Sequence, residues 1–199
     1  NINPSGSKLA KKGGEITMLG DSEYPTTFRD IGKDSRKQIN GLMAGLQYET
    51  LLSFDYERLE WTPNLATHWK ISDDSLTYWF RINPDAKWAD GNDVTTSDAI
   101  ATFKLLIDDG HQDPNVSAFW NDLFEIPVAE SKYILKVKAK KKDWRTFQNF
   151  AAGLSLLPSI YLNKVDGAGY LEKYDFSFMP GSGPYEYDAA NSKKGNEGF

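Results

Sequence analysis

Hydrophobic and polar positions alternate with two periods along the chain, and each period predicts a different element. Between residues 35 and 48 the apolar side chains recur every three or four positions, the spacing of an amphipathic helix. These apolar positions are Ile39, Leu42, Met43 and Leu46. In residues 76–82 the period is two, since large apolar side chains alternate with Thr77, Trp79 and Arg81. This alternation predicts a strand with one apolar face.

Turn residues divide the rest of the chain into further short elements. Asp73, Asp74 and Ser75 separate residues 68–72 from residues 76–82, which predicts a hairpin. The other predicted elements are a strand at 15–20, an extended stretch at 50–55, a helix at 95–108, a hairpin of strands 123–129 and 132–138, helices at 143–152 and 158–164, and the start of a strand in 181–188. Residues 57–64, 113–115, 167–169 and 181–183 are predicted turns. The mixture indicates an α+β (mixed α/β) fold.

Composition narrows the range of functions. The 199 residues are 40% hydrophobic and 14% aromatic, which suits a folded domain or two small ones. A net charge of −5 argues against a nucleic-acid partner. The one basic run, KVKAKKKDWR at 136–145, favours a solvated strand edge and turn over a nucleic-acid or lipid patch. With no cysteine, disulfides, thiolate catalysis and cysteine-bound zinc are excluded.

An acidic cluster surrounds the stretch KWADGNDVTTSDAIATFKLL at 87–106 and is the main candidate for acid/base chemistry. Its members are Asp85, Asp90, Asp93 and Asp98. A glycosidase pair needs two carboxyl groups that face one cleft, one of them with a raised pKa, and this spacing arranges neither. Thr95 and Asp98 are instead spaced as a helix capping box, and Asp90-Gly91 as a tight turn. We therefore predict structural roles and no catalytic residue.

Metal and cofactor signals are weak. His68 and His111 are isolated and match no metal-ligand spacing. The glycine groups lack the lysine and hydroxyl residue of a phosphate-binding loop, so no cofactor and no metal site is predicted. Aromatic side chains outside any periodic face are better candidates for a binding surface, because loops carry function disproportionately. Tyr24 and Phe28 flank Pro25 in the first long loop, and Phe119-Trp120 follow the 113–115 turn.

Three ordered blocks resemble a known family. They are YETLLSFD at 48–55, PNLATHWKISDDSLTYWFRINPDAKWADGNDVTTSDAIATF at 63–103 and GSGPYEY at 181–187. In this order they resemble the family 5 extracellular solute-binding proteins, the oligopeptide-, dipeptide- and nickel-binding receptors of ABC importers. Thr50 departs from the pattern, since the family usually has glycine there. The resemblance covers about three quarters of the chain.

The resemblance implies the N-terminal part of a two-lobed class II periplasmic-binding-protein-like fold, which closes on ligand between its lobes. Family members are longer than this chain, which is therefore expected to be an N-terminal fragment. On this basis residues 1–43 and 178–199 are expected to form an incomplete portion of the first ligand-binding lobe. Residues 44–177 are expected to form a smaller subdomain packed beside it.

The resemblance also implies a binding function and no enzymatic activity. The chain is expected to be the substrate-binding component of an ABC importer that captures extracellular or periplasmic peptides, or a related solute, for a membrane permease. Location at the periplasmic or extracellular face follows, with membrane association only through an N-terminal lipid anchor that this chain lacks. The alternative from a different class is a carbohydrate-binding or glycoside-active domain that uses exposed aromatics and paired carboxylates.

The ligand-binding residues are predicted from the same resemblance. Tyr24, Thr26 and Phe28 are expected to line the ligand side of the first lobe, because family members contact ligand in the loop after the first strand. Phe119 and Trp120 are expected to approach from the smaller subdomain or a neighbouring rim.

Overall fold

The computed structural model describes residues 26–188 together with Gly13. The helices of this part are α1 Gln38–Gln47, α2 Thr96–Leu106, α3 Pro114–Leu123, α4 Thr146–Gly153, α5 Ser159–Leu162 and α6 Gly167–Lys173, with a 3-10 helix at Asp109–His111. The strands are β1 Leu52–Asp55, β2 Glu60–Pro63, β3 Ala66–Ile71, β4 Thr77–Ile82, β5 Val128–Ala129 and β6 Ile134–Lys138. This mixture of helices and strands confirms the predicted fold class.

The larger sheet has four antiparallel strands in the order β3-β4-β6-β5. The predicted β3–β4 hairpin is present, and Trp79 lies between Lys70 on β3 and Lys136 on β6. The period of two in β4 places Tyr78, Phe80 and Ile82 in the core, as predicted. One face of this sheet is therefore apolar, while the other carries charged side chains around Trp79.

Helices cover the apolar face of the sheet. The rings of Phe147 and Phe150 on α4 stack on Phe80 at centroid distances of 5.8 and 5.9 Å. Phe103 on α2 contacts Phe150 at 6.3 Å, and both are fully buried. Aromatic side chains from a strand and two helices thus form one continuous core, which explains why most of the aromatic residues lie at periodic positions.

The buried carboxylate of Asp98 joins the starts of two helices. Its Oδ2 accepts hydrogen bonds from the Thr95 N–H at 2.6 Å and from the Thr95 hydroxyl at 3.2 Å. Its Oδ1 accepts from the N–H of Ser159, the first residue of α5, at 2.7 Å. The predicted capping box of α2 is therefore present. The same carboxylate also satisfies an otherwise unpaired N–H of α5, so Asp98 fixes α2 and α5 together.

Several predictions of local structure were wrong. Residues 113–115 begin helix α3 instead of a turn, since Asp113 caps the helix by accepting from the Val116 N–H at 3.2 Å and Pro114 occupies its first turn. The predicted strand at 123–129 therefore shrinks to β5. Residues 60–63 form strand β2, paired with β1, where a turn was predicted. The turn predicted at 167–169 is the start of α6, which Asp166 caps.

Two of the predicted strands lie toward the ends of the chain. The predicted strand at 15–20 lies outside the described residues. Residues 181–188 are described and contain no strand, so the strand predicted to start there is absent from that stretch. None of the helices in residues 26–188 is long and apolar enough to cross a membrane. The division into 1–43 with 178–199 and 44–177 stays a prediction.

Candidate functional site

The loop that precedes α1 packs against the segment that follows α6. The Phe28 N–H and the Thr27 hydroxyl both donate to the Asp175 carbonyl oxygen, at 2.8 and 2.5 Å. The Phe28 ring contacts Phe176 edge-on at a centroid distance of 5.4 Å and is 1% exposed. Thr26, one residue before this anchored pair, is exposed. The loop is thus held at residues 27 and 28 while Thr26 faces solvent.

A buried arginine fixes the same loop to α6. Arg29 Nη1 donates to the Leu171 carbonyl at 3.0 Å and to Asp175 Oδ1 at 3.2 Å, and Nη2 donates to the Lys33 carbonyl at 2.8 Å. Leu171 lies in the last turn of α6, where unpaired carbonyl groups favour a positive charge. The planar guanidinium therefore joins a helix end, an acidic side chain and the following turn of the loop.

Asp30 is the most perturbed carboxyl group in the described part of the chain. Burial raises the pKa of Asp30 to about 6. Its negative charge also contributes, after burial, to raising the pKa of Tyr170 and of Tyr48. Asp30 is therefore electrostatically coupled to Tyr170 on α6 and to Tyr48, the residue that follows α1.

The glycine-rich GSG segment, residues 181–183, docks on the end of α1. The Gly183 N–H donates to the Gln47 carbonyl at 2.8 Å, and the Gln47 amide donates to the Met179 carbonyl at 2.6 Å. A Cβ on Gly181 would collide with the Gln47 carbonyl oxygen, and one on Gly183 with that of Leu46. Glycine is required at both positions because the two backbones touch.

The GSG segment also brings the three blocks of the sequence together. The Glu49 N–H donates to Ser182 Oγ at 3.3 Å, which joins the third block to the first. The Ala89 N–H donates to the Gly181 carbonyl at 2.8 Å, which joins the third block to the second. Segments far apart in sequence therefore meet at one junction, and each block has a packing role there.

An open groove of about 640 Å³ lies between the Thr26 loop and the start of α3. Its lining residues are Thr26, Lys33, Asp34, Arg36, Lys37, Gln112, Asp113, Pro114 and Asn115. Arg36 binds Asp113 through two nitrogens at 3.0 and 3.2 Å and closes one side of the groove. The groove thus joins the loop predicted to contact ligand to the helix that carries Phe119 and Trp120.

The five predicted ligand-binding residues occupy different environments. Tyr24 lies outside the described residues. Thr26 lines the groove, whereas Phe28 is part of the core behind it. Phe119 and Trp120 lie on α3, not in a loop: Phe119 is 44% exposed, but Trp120 is 6% exposed and its ring contacts Phe103 at 6.1 Å. As ligand contacts all five stay predictions, and the burial of Phe28 and Trp120 gives these two a packing role as well.

The acidic cluster is distributed over separate structural tasks. Burial would raise the pKa of Asp90, but hydrogen bonds from Asn92 and Tyr161 outweigh it and lower that pKa. Hydrogen bonds from Lys132 and Lys87 lower the pKa of Asp93 to about 2. A general acid of a glycosidase needs a raised pKa, and the shifts of both groups run the other way.

Among the remaining acids and the histidines, Asp98 and His111 are buried and have structural partners, and Asp85 and His68 are exposed. Asp98 is the helix cap described above, and Asp85 is exposed. His111 is fully buried: its Nδ1 accepts from the Asp113 N–H at 3.1 Å, so its Nε2 is the nitrogen that donates to the Leu106 carbonyl at 3.0 Å. His68 lies on the exposed face of β3. Within residues 26–188 no group of three metal-ligating side chains comes together.

Comparison with known families gives a clear result. Residues 60–196 match the model described as bacterial extracellular solute-binding proteins, family 5 Middle. The chain belongs to the family 5 bacterial extracellular solute-binding proteins. This family consists of binding proteins, and the alternative of a carbohydrate-active domain finds no support in the match.

Individual relatives in this family are similar over part of their length. The dipeptide-binding protein DppE of Bacillus subtilis is 33% identical over 107 residues, which is 52% of this chain and 19% of DppE. The oligopeptide-binding protein AppA of the same organism is 26% identical over 192 residues, 93% of this chain and 34% of AppA. The chain thus spans about a third of AppA and a smaller part of DppE.

The fold agrees with that of solved family members. The structure of AppA from Bacillus subtilis in complex with a nonapeptide superposes with a TM-score of 0.70 at 23% identity, over 85% of this chain and 34% of AppA. A dipeptide-binding protein from Pseudoalteromonas, in complex with Met-Leu, superposes with a TM-score of 0.66 at 21% identity, over 85% of this chain and 37% of that one. The described residues therefore have the fold of part of a periplasmic binding protein.

Proposed function

We propose that the chain belongs to the substrate-binding component of an ABC importer that captures peptides outside the cytoplasm and delivers them to a membrane permease. The observation that carries the proposal is the family match over residues 60–196. DppE and AppA, the relatives compared above, are named for binding dipeptides and oligopeptides. The proposed action is reversible binding without chemical conversion, at the periplasmic or extracellular face, with attachment through an N-terminal lipid anchor as part of the proposal.

The proposed contact surface is the groove beside Thr26. In this proposal Tyr24, Thr26 and Phe28 form the wall of the first lobe, and Phe119 and Trp120 form part of the facing rim. Support comes from the groove's position between the Thr26 loop and α3, and from a local charge distribution with both signs. Binding sites in clefts combine apolar surface with a few placed polar groups. Thr26 supplies a polar group in the groove, and Phe119 supplies exposed apolar surface further along α3.

Native mass spectrometry of the full-length protein, purified without denaturation, tests the function directly. We expect co-purified peptides, and we expect calorimetry with a pool of tri- to pentapeptides to show heat of binding. A protein that carries no peptide, gives no heat with the pool and hydrolyses a glycan would contradict the proposal.

Substitutions test the contact surface separately. Thr26→Ala and Phe119→Ala should weaken peptide binding with little change in melting temperature, because both side chains are exposed. Ile160→Ala is the control for Phe119, since Ile160 is 47% exposed on α5, whereas Phe119 lies on α3, the helix whose first turn lines the groove. Equal affinities for all three variants and the wild type would reject the surface while leaving the function open.

A further inference from the structure

The basic run at residues 136–145 contains none of the residues proposed to bind peptide. The run contains five lysines, one arginine and one aspartate, so it is positively charged although the net charge of the chain is −5. Lys138 Nζ pairs with Glu125 at 2.8 Å, and the Lys140 ammonium donates to the Asn121 carbonyl. These two lysines are therefore occupied by neighbouring groups at the end of β6.

The tip of the loop between β6 and α4 is different. Lys141, Lys142, Trp144 and Arg145 are all exposed, and we call these four residues the basic tip. The Trp144 side chain is 80% exposed, and the Arg145 guanidinium lies 5.4 Å from its ring centroid. A tryptophan with so little packing gives up the burial that normally stabilises large aromatic side chains. Packing within residues 26–188 therefore does not account for Trp144.

The exposed face of the four-stranded sheet also carries lysines beside an aromatic ring. Lys70 and Lys136 flank the ring of Trp79, with Nζ atoms 5.4 and 5.8 Å from its centroid. Glu130 compensates part of this charge, since it accepts from Trp79 Nε1 at 3.2 Å and lies 3.8 Å from Lys136 Nζ. The exposed sheet face and the basic tip thus each combine an aromatic ring with nearby cations.

We propose that the basic tip binds the anionic lipid headgroups of a membrane surface. Tryptophan rings favour the headgroup region, where one side of the ring is apolar and the other is wet. Lysine and arginine beside such a ring are attracted by the negative surface potential of anionic lipids. The tip places one exposed ring beside three cations within five consecutive residues; the fifth residue, Asp143, lies 3.5 Å from Arg145 Nε and leaves both lysines outside that ion pair. This arrangement suits shallow attachment, and it goes beyond ligand capture.

A lipid surface fits better than a nucleic acid. Phosphate-backbone binding needs many cations spread along a groove, while the basic tip offers three, and the chain as a whole is acidic. The nearby Asp74 carboxylate, which interacts with the charge of Lys142, also limits how far the positive field extends. An exposed tryptophan without a second stacking ring beside it is more useful at a lipid interface than on a strand of bases.

Sedimentation with lipid vesicles tests the proposal on the 199-residue chain. We expect the protein to co-sediment with vesicles that contain about a third phosphatidylglycerol at low salt, and not with phosphatidylcholine alone. Each cation near an anionic surface contributes roughly fivefold in partitioning, so Lys141→Ser with Lys142→Ser should reduce it about 20- to 30-fold. Trp144→Ala should reduce partitioning as well and remove a blue shift of the tryptophan emission.

The control is the double variant Lys104→Ser with Lys164→Ser, which also removes two positive charges. Lys104 lies on α2, and Lys164 lies two residues after the end of α5. It should partition as the wild type does, and all variants should keep the wild-type melting temperature because the side chains are exposed. Three results would overturn the proposal: no wild-type binding to anionic vesicles, equal loss in the control and the tip variants, or equally tight binding to DNA that does not depend on Trp144.

Discussion

Replacement of Asp98 by alanine should destabilise the protein more than any other change in the acidic cluster. The carboxylate is 2% exposed and accepts backbone hydrogen bonds from Thr95 at 2.6 Å and from Ser159 at 2.7 Å. Alanine removes both acceptors and leaves two N–H groups, at the starts of α2 and α5, without a partner. A hydrogen bond to a charged group contributes about 1.5–3 kcal/mol, so the two together predict a loss of about 3–6 kcal/mol.

The assay is denaturation by urea and by heat. For a protein of this size each kcal/mol corresponds to about 2–4 °C, so Asp98→Ala should melt roughly 6–24 °C below the wild type. Thr95→Ala, which removes only the hydroxyl of the capping box, should lower stability by about 0.5–2 kcal/mol. Asp85→Ala, at an exposed carboxylate, should stay within about 0.5 kcal/mol.

The order of these three effects is the test. If Asp98→Ala remains within about 1 kcal/mol of the wild type, or loses less than Thr95→Ala, the carboxylate does not hold the two helices together. If Asp98→Ala keeps its stability and loses peptide binding instead, the structural role assigned to this residue is wrong.

Three further predictions concern other parts of the fold. Gly183→Ala should lower the free energy of unfolding by about 1–3 kcal/mol in urea, because the added Cβ meets the α1 backbone. The control Gly41→Ala should not lower it, since the space around that Cβ is open, and equal effects of the two variants would contradict the close approach. Wild-type stability should fall by up to about 3 kcal/mol as pH rises from about 4 to about 6, because Asp30 loses its proton at a lower pH in the unfolded chain than in the folded protein. Parallel profiles of melting temperature against pH for Asp30→Asn and the wild type would refute this. Trp120→Ala should lose about 3–5 kcal/mol in denaturant and half-exposed Phe119→Ala much less, and similar losses would show that Trp120 is not in the core.

Local patterns predicted those elements whose neighbours in space are also neighbours in sequence. The β3–β4 hairpin follows from a period of two on either side of an Asp-Asp-Ser turn, and α2 follows from its capping box and apolar stripe. Helix α3 was missed although Asp113-Pro114 is a recognisable helix start. The helical period is hidden because one of its two buried residues, Ser117, is polar, while the apolar residues that follow it, Ala118 and Phe119, are exposed.

The site was harder to predict because its contacts are long-range. Nothing near Arg29 in the sequence indicates that it binds the end of α6, about 140 residues away. Burial raises the pKa of Asp30, and its charge contributes to raising the pKa of Tyr48 and of Tyr170, residues that only the fold brings near it. The glycines at 181 and 183 looked like turn residues, and the structural reason for them is the carbonyl groups of α1. Chain crossings of this kind leave no periodic signal in either segment.

The junction between α1 and the GSG segment has a consequence for the order of folding. The Gln47 amide and the Met179 carbonyl that it binds are separated by 132 residues, so this contact closes one of the longest loops in the described chain. Long loops close late, after the local hairpins and helices between them have formed. At a synthesis rate of about 5–20 residues per second, α1 waits roughly 7–26 s for its partner to leave the ribosome. During that interval Tyr48, the residue that ends α1, lacks the Met179 carbonyl and the Phe178 ring that it contacts in the folded protein, so the C-terminal end of α1 is completed only after this segment has been made.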